Sequence, residues 1–242
     1  GPFFFVFEKK FFIPNSSFTL VACDEAGRGP LAGPVVSAAV GLKIEDPEAT
    51  LRLLRRLRRF GVNDSKQMTS VDRREILERL GWRHGLQACE QQLVKEGIIS
   101  SWAQCSPQEI DQINILQASL KSMREAAEAV AGMENQSIVC LIDGNRAPRD
   151  ARAEWALHTV VQGDAKSVLI GLASIIAKET RDRFMQDYDR VYPQYGFAAH
   201  AGYGTKFHRE AIAQHGVTPI HRKTFGGVKE HHTRVVAGAP TL

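Results

Sequence analysis

The sequence predicts an α/β domain carrying an appended, mostly helical C-terminal portion. Three observations support this. Strand-like and helical stretches alternate along most of the chain, a pattern that favours helices packed on a sheet. One strand, Ile138-Val139-Cys140-Leu141-Ile142, is apolar throughout, as expected of a strand covered on both faces. The 242 residues, 43% hydrophobic and 24% charged, suffice for a substantial core in an ordinary soluble chain.

Taken in order, the chain opens with an aromatic run, Phe3 to Phe12, interrupted by Val6 and Glu8-Lys9-Lys10. It is too short to span a bilayer, and no basic region precedes it as in a signal peptide. A strand, a partner-binding tail and a plain extension all remain open for it. Two strand-like runs follow, Phe18 to Cys23 and Val35 to Leu42. Glu45 to Arg59 has leucines at helical spacing and five arginines, Arg52, Arg55, Arg56, Arg58 and Arg59. That basic face is either simply solvated or in contact with phosphates. Thr69 or Ser70 caps a helix from Val71 to Leu80, ended by Gly81. Leu86 to Val94 alternates loosely and is expected to be a third strand. Ser106-Pro107-Gln108-Glu109 is a capping box with proline at the first helical position, and its helix is expected to break near Asn114 before running on to Gly132. After the apolar strand, His158 to Gln162 is expected to be another strand. Ser167 then caps a long helix from Val168 to about Tyr188, and a last helix runs from Thr205 to His215.

Four carboxylates stand out. Asp24-Glu25 ends the first strand, Asp143 follows the apolar strand, and Asp164 precedes the long helix. Taken alone, each has a bland explanation as a turn or cap. An Asp-Glu pair before glycine is usually a solvated turn, which accounts for Gly27 and Gly29 but not for the later acids. Gathered together, the four carry about four negative charges, a cluster unstable without cations. Oxygen donors suit hard ions such as Mg²⁺ or Mn²⁺. Two such ions would imply two-metal phosphodiester hydrolysis. Arg28, Asn63, Lys66 and Tyr203 are candidate phosphate or sugar contacts. A tyrosine between Gly202 and Gly204 suits stacking on a sugar or base. His221-Arg222-Lys223 is a local basic cluster, and the net charge of +4 fits a polyanionic partner. Four scattered cysteines, with no CxxC pair, point to free thiols in a reducing compartment, hence the cytoplasm.

The stretch from Asp24 to Val35, DEAGRGPLAGPV, resembles the signature of the ribonuclease HII (type 2 ribonuclease H) family. So do Asn63-Asp64-Ser65-Lys66, Ile142-Asp143-Gly144, Gly163-Asp164-Ala165-Lys166-Ser167, Ala173 to Lys178, Arg181-Asp182-Arg183, Tyr192-Pro193, His200-Ala201-Gly202-Tyr203 and His221-Arg222. The motifs occur in the family's order across about residues 18 to 229. The resemblance implies a ribonuclease H-like mixed sheet flanked by helices, with a helical C-terminal region. It divides the chain into an extension (1–17), a catalytic core (18–190) and a C-terminal region (191–242). It implies cleavage of RNA in RNA–DNA hybrids, and incision 5′ of single ribonucleotides in duplex DNA, leaving 3′-hydroxyl and 5′-phosphate ends. Asp24, Glu25, Asp143 and Asp164 would bind two Mg²⁺ or Mn²⁺ ions, with Asp24 bridging them. Gly27, Arg28 and Gly29 would sense the 2′-hydroxyl, and Tyr203 the junction with deoxyribose. No membrane or protein partner is expected, and the chain is expected to be a monomer. Ala198, Ala199 and Ala201 depart from relatives, which often carry a lysine there. The rival readings are a catalytically inactive hybrid-binding module and a ribonuclease H-like nuclease acting on DNA.

Overall fold

Hydrophobic periodicity builds one sheet with helices on both faces. The structure, a computed structural model, describes residues 6–14, 16–62, 67–132 and 137–231. Strands β1 (Phe18–Ala26) and β2 (Val35–Ile44) form an antiparallel hairpin at its centre. After α1 (Pro47–Arg59) and α2 (Ser70–Arg79) come the short β3 (Gln92–Leu93) and β4 (Ile99–Cys105). Helices α3 (Pro107–Ile113) and α4 (Ile115–Ala131) lead to β5 (Ile138–Asp143) and β6 (Ala156–Val160). The chain ends in α5 (Gly163–Lys166), the long α6 (Val168–Val191), α7 (Phe197–His200) and α8 (Lys206–His215). The sheet order is β3-β4-β2-β1-β5-β6, with β5 parallel to both β1 and β6.

Alternation along β1 divides the core. Leu20 and Ala22 face α6 and α1, packing with Leu54, Leu169 and Ala173. Val21 and Cys23 face α4, packing with Met123, Ala126 and Val130. A third cluster, including Tyr195, Phe197 and Ile212, forms the helical C-terminal region.

Three sequence expectations shift. The expected strand over 86–94 shrinks to Gln92–Leu93. The main strand on that side is β4, whose Ser100 and Ser101 dilute its apolar signal although both are buried. β6 ends at Val160, because Gln162 takes a left-handed φ of 55° that a ladder cannot continue. β1 runs to Ala26, so Asp24 and Glu25 lie within the strand, opposite Ala38 and Ser37.

The capping expectations match the structure. Thr69 and Ser106 form complete capping boxes, Asn114 separates α3 from α4 at φ 68°, and Ser167 caps α6 by accepting from the Ile170 N–H. All four cysteines are free, and Cys23, Cys105 and Cys140 are buried. Among the described residues no helix is long and apolar enough to cross a membrane.

Candidate active site

Pairing of Cys23 with Ile142 sets Asp24 beside Asp143 at the same end of two parallel strands. Carboxyl ends of parallel strands are where open α/β sheets hold ligands. Asp24 is buried, with 5% exposure, and lies on the α6 face. Its Oδ1 accepts the Glu25 N–H at 2.7 Å, and the Ser174 side chain of α6 also bonds to it. Asp143 Oδ1 accepts the Gly163 N–H at 2.6 Å, tying β5 to the turn that carries Asp164. Asp164 is buried, and its Oδ1 accepts the Ala165 N–H at 3.1 Å.

Asp24 and Glu25 are held against their charged form. Burial above all, then the charges of Glu25 and Asp143, push Asp24 well above the usual carboxylate range. Burial raises Glu25 to about 7, with Asp143 adding to the rise. The Arg28 guanidinium, 3.5 Å from Glu25 Oε1, opposes it. Asp24, Glu25 and Asp143 are thus in mutual electrostatic contact, and Asp164 is joined to Asp143 through its neighbour Gly163.

Among the described residues no three His, Cys, Asp or Glu side chains close into a cage for a metal ion. The donors still suit Mg²⁺ or Mn²⁺. They are all oxygen, and Mg²⁺ usually takes one or two carboxylates, completing its shell with water and substrate phosphate. A divalent charge beside Asp24 and Glu25 would also relieve the repulsion and burial that favour their protonation.

The Gly27-Arg28-Gly29 loop is fixed from below by two buried arginines. Arg222, fully buried, donates from Nε to the Gly33 carbonyl at 3.0 Å and from Nη1 to Arg28 and Pro30 at 3.0 and 2.8 Å. Its Nη2 reaches the Gly27 carbonyl at 2.5 Å. Arg181 of α6 donates to the carbonyls of Pro34, Ala201 and Ala32 at 2.9, 2.8 and 3.0 Å. These carbonyls disperse charge that would otherwise be costly to bury. Gly27, at φ +93°, leaves no room for a Cβ beside the Arg181 guanidinium. His221 and Arg222, read from the sequence as part of a local basic cluster, are both buried; Arg222 holds the loop, and His221 bonds Thr218 and faces His208.

Tyr203 is half exposed, and its ring lies 3.4 Å from where a Cβ on Gly29 would stand. Both border an open cleft of 420 Å³ shared with Glu25, Arg28, Arg73 and Lys178. Three histidines support this tyrosine. The Thr218 N–H donates to His221 Nδ1, so His221 carries its proton on Nε2, facing His208 Nε2 at 3.0 Å. His208 in turn faces the Tyr203 carbonyl through Nδ1 at 2.9 Å, and His200 stacks on it at 4.6 Å. Burial depresses His208 to about 4 and His221 to about 3, so both are neutral at pH 7.

Asn63 and Lys66 lie outside the described residues. The sequence reading did not single out Arg73, which bridges Glu179 at 2.7 Å and Asp182 at 2.8 Å at the cleft wall. Nor did it assign contacts to Ser174, Lys178 and Arg181. Their i, i+4, i+7 spacing puts them on one helix face and is the signal that marks them as a set.

A mixed sheet with paired carboxylates at adjacent strand ends, beside a cleft lined by cations, defines a nuclease of the ribonuclease H-like class. A sequence profile described as Ribonuclease HII matches residues 21–228. A ribonuclease HII from Vibrio campbellii is 42% identical over 219 residues, spanning 90% of this chain and 88% of its own. The fold is similar to the ribonuclease H2 of Pyrococcus horikoshii OT3, with a TM-score of 0.65 at 24% identity over 89% of this chain and 98% of that one. It is also similar to Bst-RNase HIII in complex with Mn²⁺, with a TM-score of 0.59 at 17% identity over 91% of this chain and 71% of that one. The chain belongs to the ribonuclease HII family. It is accordingly a hydrolase, a ribonuclease acting on RNA–DNA hybrids.

Proposed function

We propose that the protein cuts the RNA strand of hybrids and incises 5′ of single ribonucleotides in duplex DNA, by two-metal phosphodiester hydrolysis that leaves 3′-hydroxyl and 5′-phosphate ends. The observation that carries this reading is the set of Asp24, Glu25 and Asp143, electrostatically coupled at adjacent strand ends with Asp24 buried. Asp24, Glu25, Asp143 and Asp164 would hold the ions. When bound, the ions supply an activated water and stabilise the leaving oxygen. The Mn²⁺ complex of the structurally similar Bst-RNase HIII supports divalent metal use.

The chain's own residues position the substrate. The exposed backbone of Gly29, set by the buried Gly27 beside it, can hydrogen-bond a 2′-hydroxyl at close range, the group that distinguishes RNA from DNA. Arg28, about half exposed, is free to turn from Glu25 towards a phosphate. Tyr203 stacks on the sugar after the ribonucleotide, where an added hydroxyl meets its ring. Lys178 lines the same cleft and adds positive potential along the backbone path.

The test is turnover by Asp24→Asn and Asp143→Asn. Each should lose at least about a thousandfold in kcat in Mg²⁺ or Mn²⁺ while unfolding at a temperature no lower than the parent, because each relieves repulsion in the folded state. Near-normal turnover by Asp143→Asn would remove the metal-site reading.

A further inference from the structure

Residues 6–12 lie before the family match, which begins at residue 21, yet they are built into the core. Val6 is buried, and Phe7, Phe11 and Phe12 pack against the same cluster as α6. The Phe11 ring sits 4.9 Å from His158 of the edge strand β6. This turn delivers the Glu8 side chain, with 0% exposure, to the N-terminus of α6. Glu8 Oε1 accepts the Ser167 hydroxyl at 2.7 Å and the Leu169 N–H at 3.0 Å.

From there a hydrogen-bonded path leads to the active site. The Ser167 N–H donates to the Gly163 carbonyl at 2.7 Å, and the Gly163 N–H donates to Asp143 Oδ1 at 2.6 Å. Asp164 sits inside that same turn. Ser167 already caps α6 through Ile170, so the helix has its cap without Glu8. Glu8 takes a second first-turn donor, the Leu169 N–H, and restrains the cap residue itself. It does so while its Oε2 stays buried without a hydrogen-bond partner among the described residues, an arrangement that disfavours folding.

We propose that Glu8 is a positioning residue for the catalytic carboxylates. It fixes the Gly163–Ser167 turn, and through it the orientation of Asp143 and the place of Asp164. It also sets the start of the helix that carries Ser174 to Asp24 and Lys178 to the cleft. This inference rests on the metal role proposed for Asp143 and Asp164.

The experiment compares the full chain with Glu8→Ala, Glu8→Gln and, as control, Asp143→Asn. Mn²⁺ binding is measured by calorimetry without substrate. Then kcat and KM are measured on a duplex with one ribonucleotide, all well below each variant's Tm. Glu8→Ala should weaken Mn²⁺ binding and lower kcat, each about tenfold, with KM for the duplex within twofold. Glu8→Gln keeps an oxygen acceptor for Ser167 and should restore both. A lowered Tm with parental Mn²⁺ affinity and kcat would overturn the proposal and leave Glu8 a structural cap. So would Glu8→Gln as damaged as Glu8→Ala. Should Glu8→Ala not fold, Ser167→Ala cuts the same link and must show the same loss of Mn²⁺ affinity. Undiminished Mn²⁺ binding by Asp143→Asn would instead overturn the metal-site reading.

Discussion

Replacing Glu25 with Gln should stabilise the metal-free protein at pH 8. Folding raises the Glu25 carboxyl from 4.5 to about 7, chiefly by burial. Its side chain is only 13% exposed, so solvent screening removes little of the effect. Between pH 4.5 and 7 the folded state binds more protons at this site than the unfolded state, so stability falls as pH rises through that window. Above pH 7 the full penalty stands, about 3 kcal/mol at 1.36 kcal/mol per pKa unit. Glutamine removes it, along with a pair to Arg28 that is half exposed and worth less than about 1 kcal/mol. Urea unfolding in EDTA should therefore show Glu25→Gln more stable than the parent by about 2–3 kcal/mol at pH 8, with the gap closing towards pH 4.5. Mg²⁺ should reverse the order by stabilising the parent and not the variant. A Glu25→Gln protein no more stable than the parent at pH 8 in EDTA would refute the burial argument.

Two further variants probe the loop and the junction. Arg222→Met removes every donor to the carbonyls of Gly27, Arg28, Pro30 and Gly33 and should destabilise the fold by at least about 4 kcal/mol in urea unfolding. Because Arg222 is fully buried, the salt dependence of substrate binding should be unchanged, whereas Arg28→Ala should lower its slope by about one. Tyr203→Ala should reduce kcat/KM at a single embedded ribonucleotide at least about tenfold more than on an all-RNA hybrid, consistent with a lost stacking contact of about 1–3 kcal/mol. Equal losses on both substrates would argue against a junction role.

Much of this was legible because local chemistry coincided with final structure. The capping residues Thr69, Ser106, Asn114 and Ser167 each mark a helix start that tertiary packing did not override. The carboxylates were legible as acids next to apolar strands. Their interaction was not, since it depends on β1 and β5 pairing in parallel across more than a hundred residues of sequence. β4 was hidden because Ser100 and Ser101 are buried polar residues, which period-two counting scores as exposed. The roles of Arg181 and Arg222 are not legible, because nothing local tells a guanidinium that caps backbone carbonyls from one that faces solvent. The same limit applies to Glu8, whose partners Ser167 and Leu169 lie about 160 residues away in sequence. The Phe-rich start is ambiguous in sequence for a related reason. Its apolar rings, Phe7, Phe11 and Phe12, find the core only once α6 and β6 are assembled.

The most direct test is to map the cut in an end-labelled DNA duplex carrying one ribonucleotide, with and without Mg²⁺. Metal-dependent incision on the 5′ side of the ribonucleotide, leaving a 3′-hydroxyl, is the expected result. Binding without incision in both Mg²⁺ and Mn²⁺, or equal cutting of an all-DNA duplex, would contradict the account.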